Sequence, residues 1–331
     1  MKSRIVPASA SSIALAAKCL RAGELVAFPT ETVYGLGADA GNSDAVHRIF
    51  VAKGRPTEHP LIVHLANAAD VERWAREFPE GARRLAAAFW PGPLTLILPR
   101  AAGVTDAVTG GQDSVGLRVP SHPVARQLLD AFAELGGSGV AAPSANRFGH
   151  VSPTTARHVA EDLGDSVSMI VDGGPCDVGI ESTIVAFTGG EPMVLRPGGI
   201  AIEDLVRVLG TLPRAPDADA PRASGTLASH YAPRAPARIV SPRQMLQEVA
   251  RLASSGERVA VLARTILPPA EFPGAWIASH EDAPRYAHDL YANLRALDSP
   301  GITAILIESV PNDGAWLAVR DRLTRATTDG T

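Results

Sequence analysis

Cysteine, lysine and long apolar runs are all scarce in this sequence. Its only cysteines are Cys19 and Cys176, too few for a disulfide framework and without the spacing of metal ligands. No segment approaches the roughly 20 consecutive apolar residues that a membrane span needs. These absences argue against a disulfide-stapled secreted domain and a membrane protein, and they favour the reducing cytoplasm.

Net positive charge is lacking as well. The formal net charge of -4 argues against a globally basic nucleic-acid binder but leaves a local basic pocket open. Arginine is the usual cation, because the lysines are limited to Lys2, Lys18 and Lys53. Lys53, the only lysine after the first predicted helix, stands two residues before Arg55. This pairing marks a candidate site for an anion.

The length of 331 residues favours two domains. Apolar runs alternate irregularly with amphipathic runs between Leu25 and Leu209, and several neighbouring strands lack a helix between them, so we expect a mixed α/β sheet. Residues 213–236 are rich in Pro, Ala, Arg and Asp, the composition of a linker. The following βαβ pattern predicts a small Rossmann-like domain without a Gly-x-Gly-x-x-Gly fingerprint. The predicted boundaries are therefore 1–212, 213–236 and 237–331.

Helix signals are clear near the N-terminus. We expect one helix over Ser12–Ala22, capped by Ser11 or Ser12, and a second over Asp44–Lys53, capped by Ser43. Between them, an apolar strand ending at Phe28 leads into a turn dense with hydroxyls and glycines. Such a turn is suited to holding a ligand.

Polar side chains follow several predicted strands, where ligands of open α/β sheets bind. These loops and strand ends carry cations, hydroxyls and an amide, namely Thr30, Thr32, His64, Arg118, Ser144, Asn146 and Arg196, to which the segment after the second helix adds Lys53, Arg55 and His59. Arginine offers a planar fork to phosphate or carboxylate, and lysine a point charge. The set suits a polyphosphate together with a carboxylate.

Purely structural interpretations of these residues remain open. The hydroxyl and amide side chains could stabilise turns, Gly35 and Gly37 could supply positive φ or let the backbone approach a ligand, and His64 could be a core histidine. Glu31 could be a catalytic acid or a partner of Arg55 or Lys53. No nucleophile motif is present, so an enzyme here would work by positioning and electrostatics.

Eight ordered motifs connect the chain to a known family. They are Phe28-Pro-Thr-Glu-Thr-Val-Tyr-Gly-Leu-Gly, Lys53-Gly-Arg-Pro, His59-Pro-Leu, Trp90-Pro-Gly-Pro-Leu-Thr, Gly116-Leu-Arg-Val-Pro, Ala142-Pro-Ser-Ala-Asn, Gly179-Ile-Glu-Ser-Thr and Leu195-Arg-Pro-Gly. With these motifs the chain resembles the YrdC-like superfamily, whose twisted mixed sheet carries flanking helices and a central cavity. Ser229-His-Tyr-Ala-Pro in the linker resembles the long, two-domain form of threonylcarbamoyl-AMP synthase.

The resemblance implies a nucleotidyltransferase that makes threonylcarbamoyl-AMP and pyrophosphate from L-threonine, bicarbonate or CO2, and ATP with Mg2+. This is the first step of threonylcarbamoyladenosine formation in tRNA. The resemblance places Lys53, Arg55, His59, Ser114, Ser144, Asn146, Ser152, Arg196, His230 and Tyr231 at ATP, with Lys53 and Arg55 as catalytic residues. It places Thr32, His64, Arg118, Ala142 and Ser182 around threonine. His59 departs from the asparagine that relatives often carry.

Further expectations follow from the resemblance. Arg118 would hold the threonine carboxylate, and His64 would act as general base or only orient the substrate. His230 and Tyr231 would fold over the nucleotide as a lid, unless the linker is passive. The expected partners are the downstream threonylcarbamoyl transferase complex that acts on tRNA, with direct tRNA contact left open, and no metal ligand is assigned among the side chains.

Two other functions fit the sequence less well. An RNA-binding module is opposed by the overall acidity and by the lack of interleaved aromatic and basic residues. Carbamoyl transfer in hydrogenase maturation uses a related domain, but the zinc-finger and acylphosphatase-like parts are missing from this chain.

Overall fold

The computed structural model describes residues 4–227 and 230–327. They form two compact units, one of residues 4–148 and 152–226, the other of residues 149–151 and the described residues from 227 onward. Ser229, part of the linker motif, and Lys2 lie outside the described residues. Within the described ranges, no helix combines the length and apolarity needed to cross a membrane.

The first unit is built on a ten-stranded mixed sheet, which confirms the mixed α/β prediction. Its strands in chain order are β1 (Arg4–Pro7), β2 (Val26–Phe28), β3 (Gly35–Asp39), β4 (Ile62–His64), β5 (Leu94–Pro99), β6 (Ser114–Arg118), β7 (Val140–Ala141), β8 (Met169–Asp172), β9 (Thr183–Ala186) and β10 (Met193–Arg196). Their order across the sheet is β1-β8-β2-β3-β7-β4-β6-β5-β9-β10. Parallel β4 and β6 bring His64 opposite Arg118, so two residues that are predicted to bind the substrate threonine lie side by side.

Helices cover the apolar side chains of this sheet. They are α1 (Ala10–Arg21), α2 (Ser43–Lys53), α3 (Val71–Trp74), α4 (Glu80–Phe89), α5 (Asp106–Thr109), α6 (Pro123–Glu134), α7 (Ala156–Leu163) and α8 (Ile202–Leu209), with short 3-10 turns at Ala68–Asp70 and Gly164–Ser166. Val26 and Phe28 pack with α1 and α6 in one buried cluster, whereas Ala27 belongs to another. This alternation is expected of a strand with two covered faces.

Both predicted helix caps were displaced. Ser9 caps α1 in a capping box with Ser12, so neither Ser11 nor Ser12 is the cap. Asn42 caps α2 by accepting hydrogen bonds from the backbone N–H groups of Asp44 and Ala45, so the expected cap Ser43 is already helical. Both cap positions carry residue types that favour caps, and neighbouring candidates of this kind are separated only by tertiary packing.

The two glycines of the opening motif belong to β3, where the sequence pattern predicts a turn. Neither has positive φ. A Cβ on Gly37 would stand 2.8 Å from Phe28 Cε1 and 2.9 Å from Val140 Cγ1, and one on Gly35 would stand 3.3 Å from Ala142 Cβ. These glycines therefore serve close packing of β3 against its neighbours.

The second unit contains a four-stranded parallel sheet in the order β11-β14-β12-β13. Its elements are β11 (Ala237–Val240), α9 (Met245–Ser254), β12 (Val259–Ala263), β13 (Ala275–Ala278), α10 (Ala283–Leu297), β14 (Ala304–Glu308), a 3-10 turn at Gly314–Trp316 and α11 (Leu317–Thr327). The pattern agrees with the predicted Rossmann-like α/β arrangement, although β13 was not foreseen. The buried Glu308 carboxylate accepts from the backbone N–H groups of Arg264 and Thr265, which ties the ends of β14 and β12 together.

The first half of the predicted linker is packed within the first unit. Arg214 forms a parallel bridge to Met193, the first residue of β10. Ala223 is buried with Ile97, Ile184 and Leu195. The proposed boundaries of 1–212, 213–236 and 237–331 stay a prediction, because a compact unit need not coincide with a functional domain.

Replacing Gly37 with Ala tests the packing role of β3. We expect Gly37→Ala to lower the free energy of unfolding by about 1–3 kcal/mol, because Phe28 and Val140 must move to admit a methyl group. Gly103→Ala is the matched control, since its Cβ would meet nothing within 4 Å. Urea unfolding measures both variants, and equal stabilities would contradict the packing role.

Candidate functional site

A buried ion pair lies at the end of the opening motif. Arg118, the last residue of β6, donates one hydrogen bond to Glu31 Oε1 at 2.7 Å and one to Thr32 Oγ1 at 2.9 Å. The second carboxylate oxygen of Glu31 accepts from the backbone N–H of Ser121 at 3.1 Å. Thr32 also shares a 2.8 Å hydroxyl contact with Thr30. Glu31 thus partners Arg118, neither of the two cations proposed from the sequence.

The protonation of this cluster follows from burial and charge. Burial raises the pKa of Glu31, but the Arg118 charge, its hydrogen bond and backbone N–H groups outweigh burial and hold the pKa below its usual value. Burial, reinforced by Arg118, lowers the pKa of His64 to about 3. The site therefore combines a carboxylate, a guanidinium and a neutral imidazole at neutral pH.

Two polar atoms of this cluster are unsatisfied. Arg118 Nε and His64 Nδ1 are buried and have no hydrogen-bond partner among residues 4–227 and 230–327. Their residues occupy paired positions on β6 and β4. Buried polar atoms without partners are rare and costly, so they mark a place where a polar ligand can bind.

Lys53 lies buried at the end of α2 and holds a distant loop. Its Nζ donates to the backbone carbonyls of Ser144 at 2.6 Å and Asn146 at 2.5 Å. Burial lowers the pKa of Lys53, as does the charge of Arg55, while these two carbonyls favour its protonated form. The Lys-x-Arg and Ser-x-Asn motifs are therefore joined through the loop backbone.

Arg55 follows Gly54, whose left-handed φ of 63° ends α2. The Arg55 guanidinium donates to the Pro60 carbonyl at 3.0 Å and to Ser224 Oγ at 3.3 Å, and its Cζ lies 5.6 Å from the centroid of the Phe148 ring. His59 packs on the same ring. Burial and Arg55 lower the pKa of His59, which makes its imidazole neutral near pH 7.

Arg196 connects the residues predicted to bind ATP with those predicted to bind threonine. Its Nε and Nη2 atoms donate to the Ser182 carbonyl at 3.2 and 2.9 Å, and Nη2 also donates to Ser182 Oγ at 3.2 Å. The remaining guanidinium nitrogen, Nη1, donates to the Ser224 carbonyl at 2.7 Å. Thr95 fixes the Ser182 hydroxyl from the neighbouring strand β5 at 2.8 Å. A residue predicted at ATP therefore contacts one predicted at threonine.

The other predicted residues of the first unit are also placed on these loops and strands. Ser152 donates to Glu181 Oε1 at 2.6 Å, and both side chains are buried. Ala142 follows β7 and Ser114 begins β6. Their proposed contacts with ATP or threonine remain predictions.

His230 and Tyr231 belong to the second unit. Tyr231 adopts φ 64°, is 1% exposed, and stacks on Tyr291 with ring centroids 5.6 Å apart. Arg322 lies over its ring at 5.3 Å, and the backbone N–H of His230 donates to the Arg325 carbonyl at 3.2 Å. Helix α11 thus holds this pair, and its role as a nucleotide lid stays a prediction.

Sequence reasoning missed three contributors. Glu181 stands in the Gly-Ile-Glu-Ser-Thr motif, so it could have been selected as a partner for a nearby hydroxyl. Thr95 lies in the Trp-Pro-Gly-Pro-Leu-Thr motif. Ser224 had no signal, because it lies in a segment that reads as a linker.

Comparisons with known proteins agree with this architecture. The Sua5/YciO/YrdC family, described as "Telomere recombination", matches residues 18–198. The domain described as "Threonylcarbamoyl-AMP synthase, C-terminal domain" matches residues 200–328. A protein of Pyrococcus abyssi called threonylcarbamoyl-AMP synthase is 41% identical, with 95% of this chain and 93% of that protein covered. A Bacillus subtilis protein of the same name is also 41% identical, with coverages of 95% and 92%.

Solved structures extend the likeness. P. abyssi Sua5, crystallised in complex with L-threonine, superposes with a TM-score of 0.91 at 38% identity and covers 98% of both chains. Escherichia coli YciO shares the fold of the first part, with a TM-score of 0.53 over 61% of this chain and 99% of its own. Fold and site define an α/β protein with a buried, cation-rich site. The chain belongs to the Sua5/YciO/YrdC family, in its long form with a Sua5-type C-terminal domain.

Glu31→Gln tests the buried ion pair. The folded-state pKa of Glu31 is depressed, so its stabilisation is present above the unfolded pKa of about 4.3 and is lost as pH falls through the folded value. We expect the variant to be about 3 kcal/mol less stable at pH 7, and this gap to shrink in acid below about pH 4.

Glu161→Gln provides the control, because Glu161 pairs with Arg157 on the surface. Its effect should stay within about 0.5 kcal/mol at either pH. Urea unfolding at both pH values measures the three proteins. A gap for Glu31→Gln that is independent of pH would contradict the charge argument.

Proposed function

We propose that this chain is a threonylcarbamoyl-AMP synthase, a nucleotidyltransferase that uses L-threonine, bicarbonate or CO2, and ATP. Its family membership supports the reaction. The observation that carries the proposal is the pairing of two different cation groups in one unit. Arg118, with an unsatisfied Nε beside neutral His64, suits an amino acid. Arg55 and Arg196, bridged by Ser224, suit a polyphosphate.

The reaction requires two bond-forming steps. The threonine nitrogen, as the free amine, attacks CO2 and releases one N–H proton to solvent, or attacks bicarbonate and passes that proton to the departing hydroxide, which leaves as water. Either route gives a carbamate. A carbamate oxygen then attacks the α-phosphorus of ATP, and pyrophosphate leaves. The chain forms no covalent intermediate, so its contribution is orientation and charge stabilisation.

Arg118 is the residue that we assign to the threonine carboxylate. Its guanidinium is fixed by Glu31 and Thr32, which leaves Nε for a substrate oxygen. Thr32, Ala142 and Ser182 complete the threonine group. His64 orients the substrate as a neutral hydrogen-bonding group, because a pKa of about 3 makes it too weak a base to take the amine proton at neutral pH.

The nucleotide group surrounds Arg55 and Arg196 in this proposal. Both guanidiniums would bind phosphate oxygens and stabilise the charge on departing pyrophosphate. Lys53 adds positive charge and holds the loop that presents Ser144 and Asn146. His59, Ser114 and Ser152 are assigned to the same nucleotide, as are His230 and Tyr231 as a lid against water.

Mg2+ is the cofactor that we assign to this reaction, carried by ATP. Over the described ranges, no group of three or more His, Cys, Asp or Glu side chains could hold a metal ion. These residues are therefore compatible with an Mg2+ ion that is held by phosphate oxygens and water, the ligands that this ion commonly keeps in ATP sites. There it would neutralise part of the phosphate charge.

The partners are assigned by the same reaction. The adenylate would be consumed by a threonylcarbamoyl transferase complex that acts on tRNA. We place the enzyme in the cytoplasm, which suits the free thiols of Cys19 and Cys176. Direct contact of this chain with tRNA would enter only as part of that handover.

Pyrophosphate release tests the reaction. We expect release from ATP only when L-threonine and bicarbonate are both supplied, because the carbamate must form before the α-phosphorus is attacked. Omission of either one is the internal control. Salt-dependent tRNA binding in a protein whose ATP turnover ignores threonine would instead indicate an RNA-binding module.

Exchanging single arginines for lysine tests the division of the site. Arg118→Lys should raise the KM for threonine about 10–100-fold with little change in the KM for ATP, because lysine lacks the planar fork. Arg55→Lys should raise the KM for ATP by a similar factor with little change in the KM for threonine. Arg157→Lys, a surface exchange, should change neither constant. Steady-state kinetics measure all three, and equal effects on both substrates would refute the division.

A further inference from the structure

Ser224 contacts both arginines that are assigned to the polyphosphate. Its hydroxyl oxygen accepts from Arg55 Nη2 at 3.3 Å, and its carbonyl oxygen accepts from Arg196 Nη1 at 2.7 Å. The same hydroxyl donates to the Pro60 carbonyl at 2.8 Å. Pro60 also accepts from Arg55, so Arg55, Pro60 and Ser224 form a closed triangle of hydrogen bonds.

The segment around Ser224 is held firmly on the first unit. Ala223 is buried in an apolar cluster. The backbone N–H of Arg222 donates to Gln112 Oε1 at 2.7 Å, and its guanidinium donates to the Gly110 carbonyl at 2.8 Å. Gln112 Nε2 in turn donates to the Arg222 carbonyl at 3.1 Å. Ser224 thus offers two long arginine side chains an acceptor that is itself held in place.

Holding two like charges towards one ligand has an energetic cost. Arginine side chains lose rotamer freedom when they are fixed, and neighbouring guanidiniums repel each other. Acceptor oxygens placed between them reduce both costs before the anion binds. A ligand that meets pre-oriented donors then binds more tightly.

We propose that Ser224 is a positioning residue for the polyphosphate, acting through Arg55 and Arg196. It aligns the two guanidiniums as one anion-binding pair for the diphosphate part of ATP and for pyrophosphate. The proposal rests on the proposed function for its ATP readout. Its anion-binding readout is independent of turnover.

Ser224→Ala removes the hydroxyl but keeps the carbonyl that Arg196 contacts. We expect the Kd for inorganic pyrophosphate, measured by calorimetry on the full chain, and the KM for ATP each to rise about 5–10-fold, as for loss of one ordinary hydrogen bond. The KM for threonine should stay within twofold. Ser224→Thr should restore both values because it keeps the hydroxyl.

Ser254→Ala is the matched control. Its hydroxyl also donates to a backbone carbonyl at 2.8 Å, but in the second unit. Its pyrophosphate affinity should equal that of the wild type. A rise in the KM for threonine equal to that for ATP would indicate a merely structural role and would overturn the proposal.

Two further results would overturn it. One is an unchanged pyrophosphate affinity in Ser224→Ala, and the other is a tighter affinity, which would show that the hydroxyl competes with phosphate. If pyrophosphate binding weakens as expected while the wild type shows no threonine-dependent turnover, the positioning role stands and the proposed function fails. If the wild type shows threonine-dependent turnover and Ser224→Ala binds pyrophosphate as tightly as the wild type, the proposed function stands and the positioning role fails.

Discussion

Burial of positive charge is the constraint on which the site depends. Lys53, Arg55, Arg118 and Arg196 are each less than a tenth exposed. A buried cation is costly unless most of its donors meet acceptors of good geometry, and Arg118 Nε is the donor that we assign to a ligand. Most of those acceptors here are backbone carbonyls of loops, with Glu31 supplying the buried carboxylate. Each cation therefore orders a loop, and each loop orients a cation.

This mutual dependence gives the site its chemical character. Donors that are already oriented need little rearrangement when charge develops on a phosphate, which is the basis of electrostatic preorganisation. The same burial acts differently on His64, which remains neutral beside Arg118. A charged clamp and an uncharged hydrogen-bonding group can thus adjoin one another. Chemistry that proceeds without a protein nucleophile depends on such an arrangement.

Predictability from the sequence differed between levels of structure. Strand ends that carry His64, Arg118 and Arg196 were found, because apolar runs followed by polar residues are a local pattern. Helix caps were wrong by one or more residues at Ser9 and Asn42, where several good capping residues compete. Strand β3 was read as a turn, because its glycines resemble turn residues in the absence of knowledge of their neighbours.

Partner assignments were beyond local patterns. The sequence suggests Lys53 or Arg55 as a partner of Glu31, but Glu31 binds Arg118, which is 87 residues away in the chain. Ser224 lies 169 residues from Arg55 in a segment whose composition indicates only a linker. A hydrogen bond over such a separation depends on the path of the whole sheet, which no local propensity describes.

The sequence by itself determined the inventory of cations and hydroxyls, their order along the chain, the mixed α/β class and the family resemblance. These depend on residue type and short spacing, which survive without coordinates. Only the tertiary structure decided which acceptor satisfies each buried cation and that Gly37 serves packing. It also placed Ser224 between two arginines. The physical reason is that burial makes an unpartnered donor costly, and the folded chain alone determines which partners are within reach.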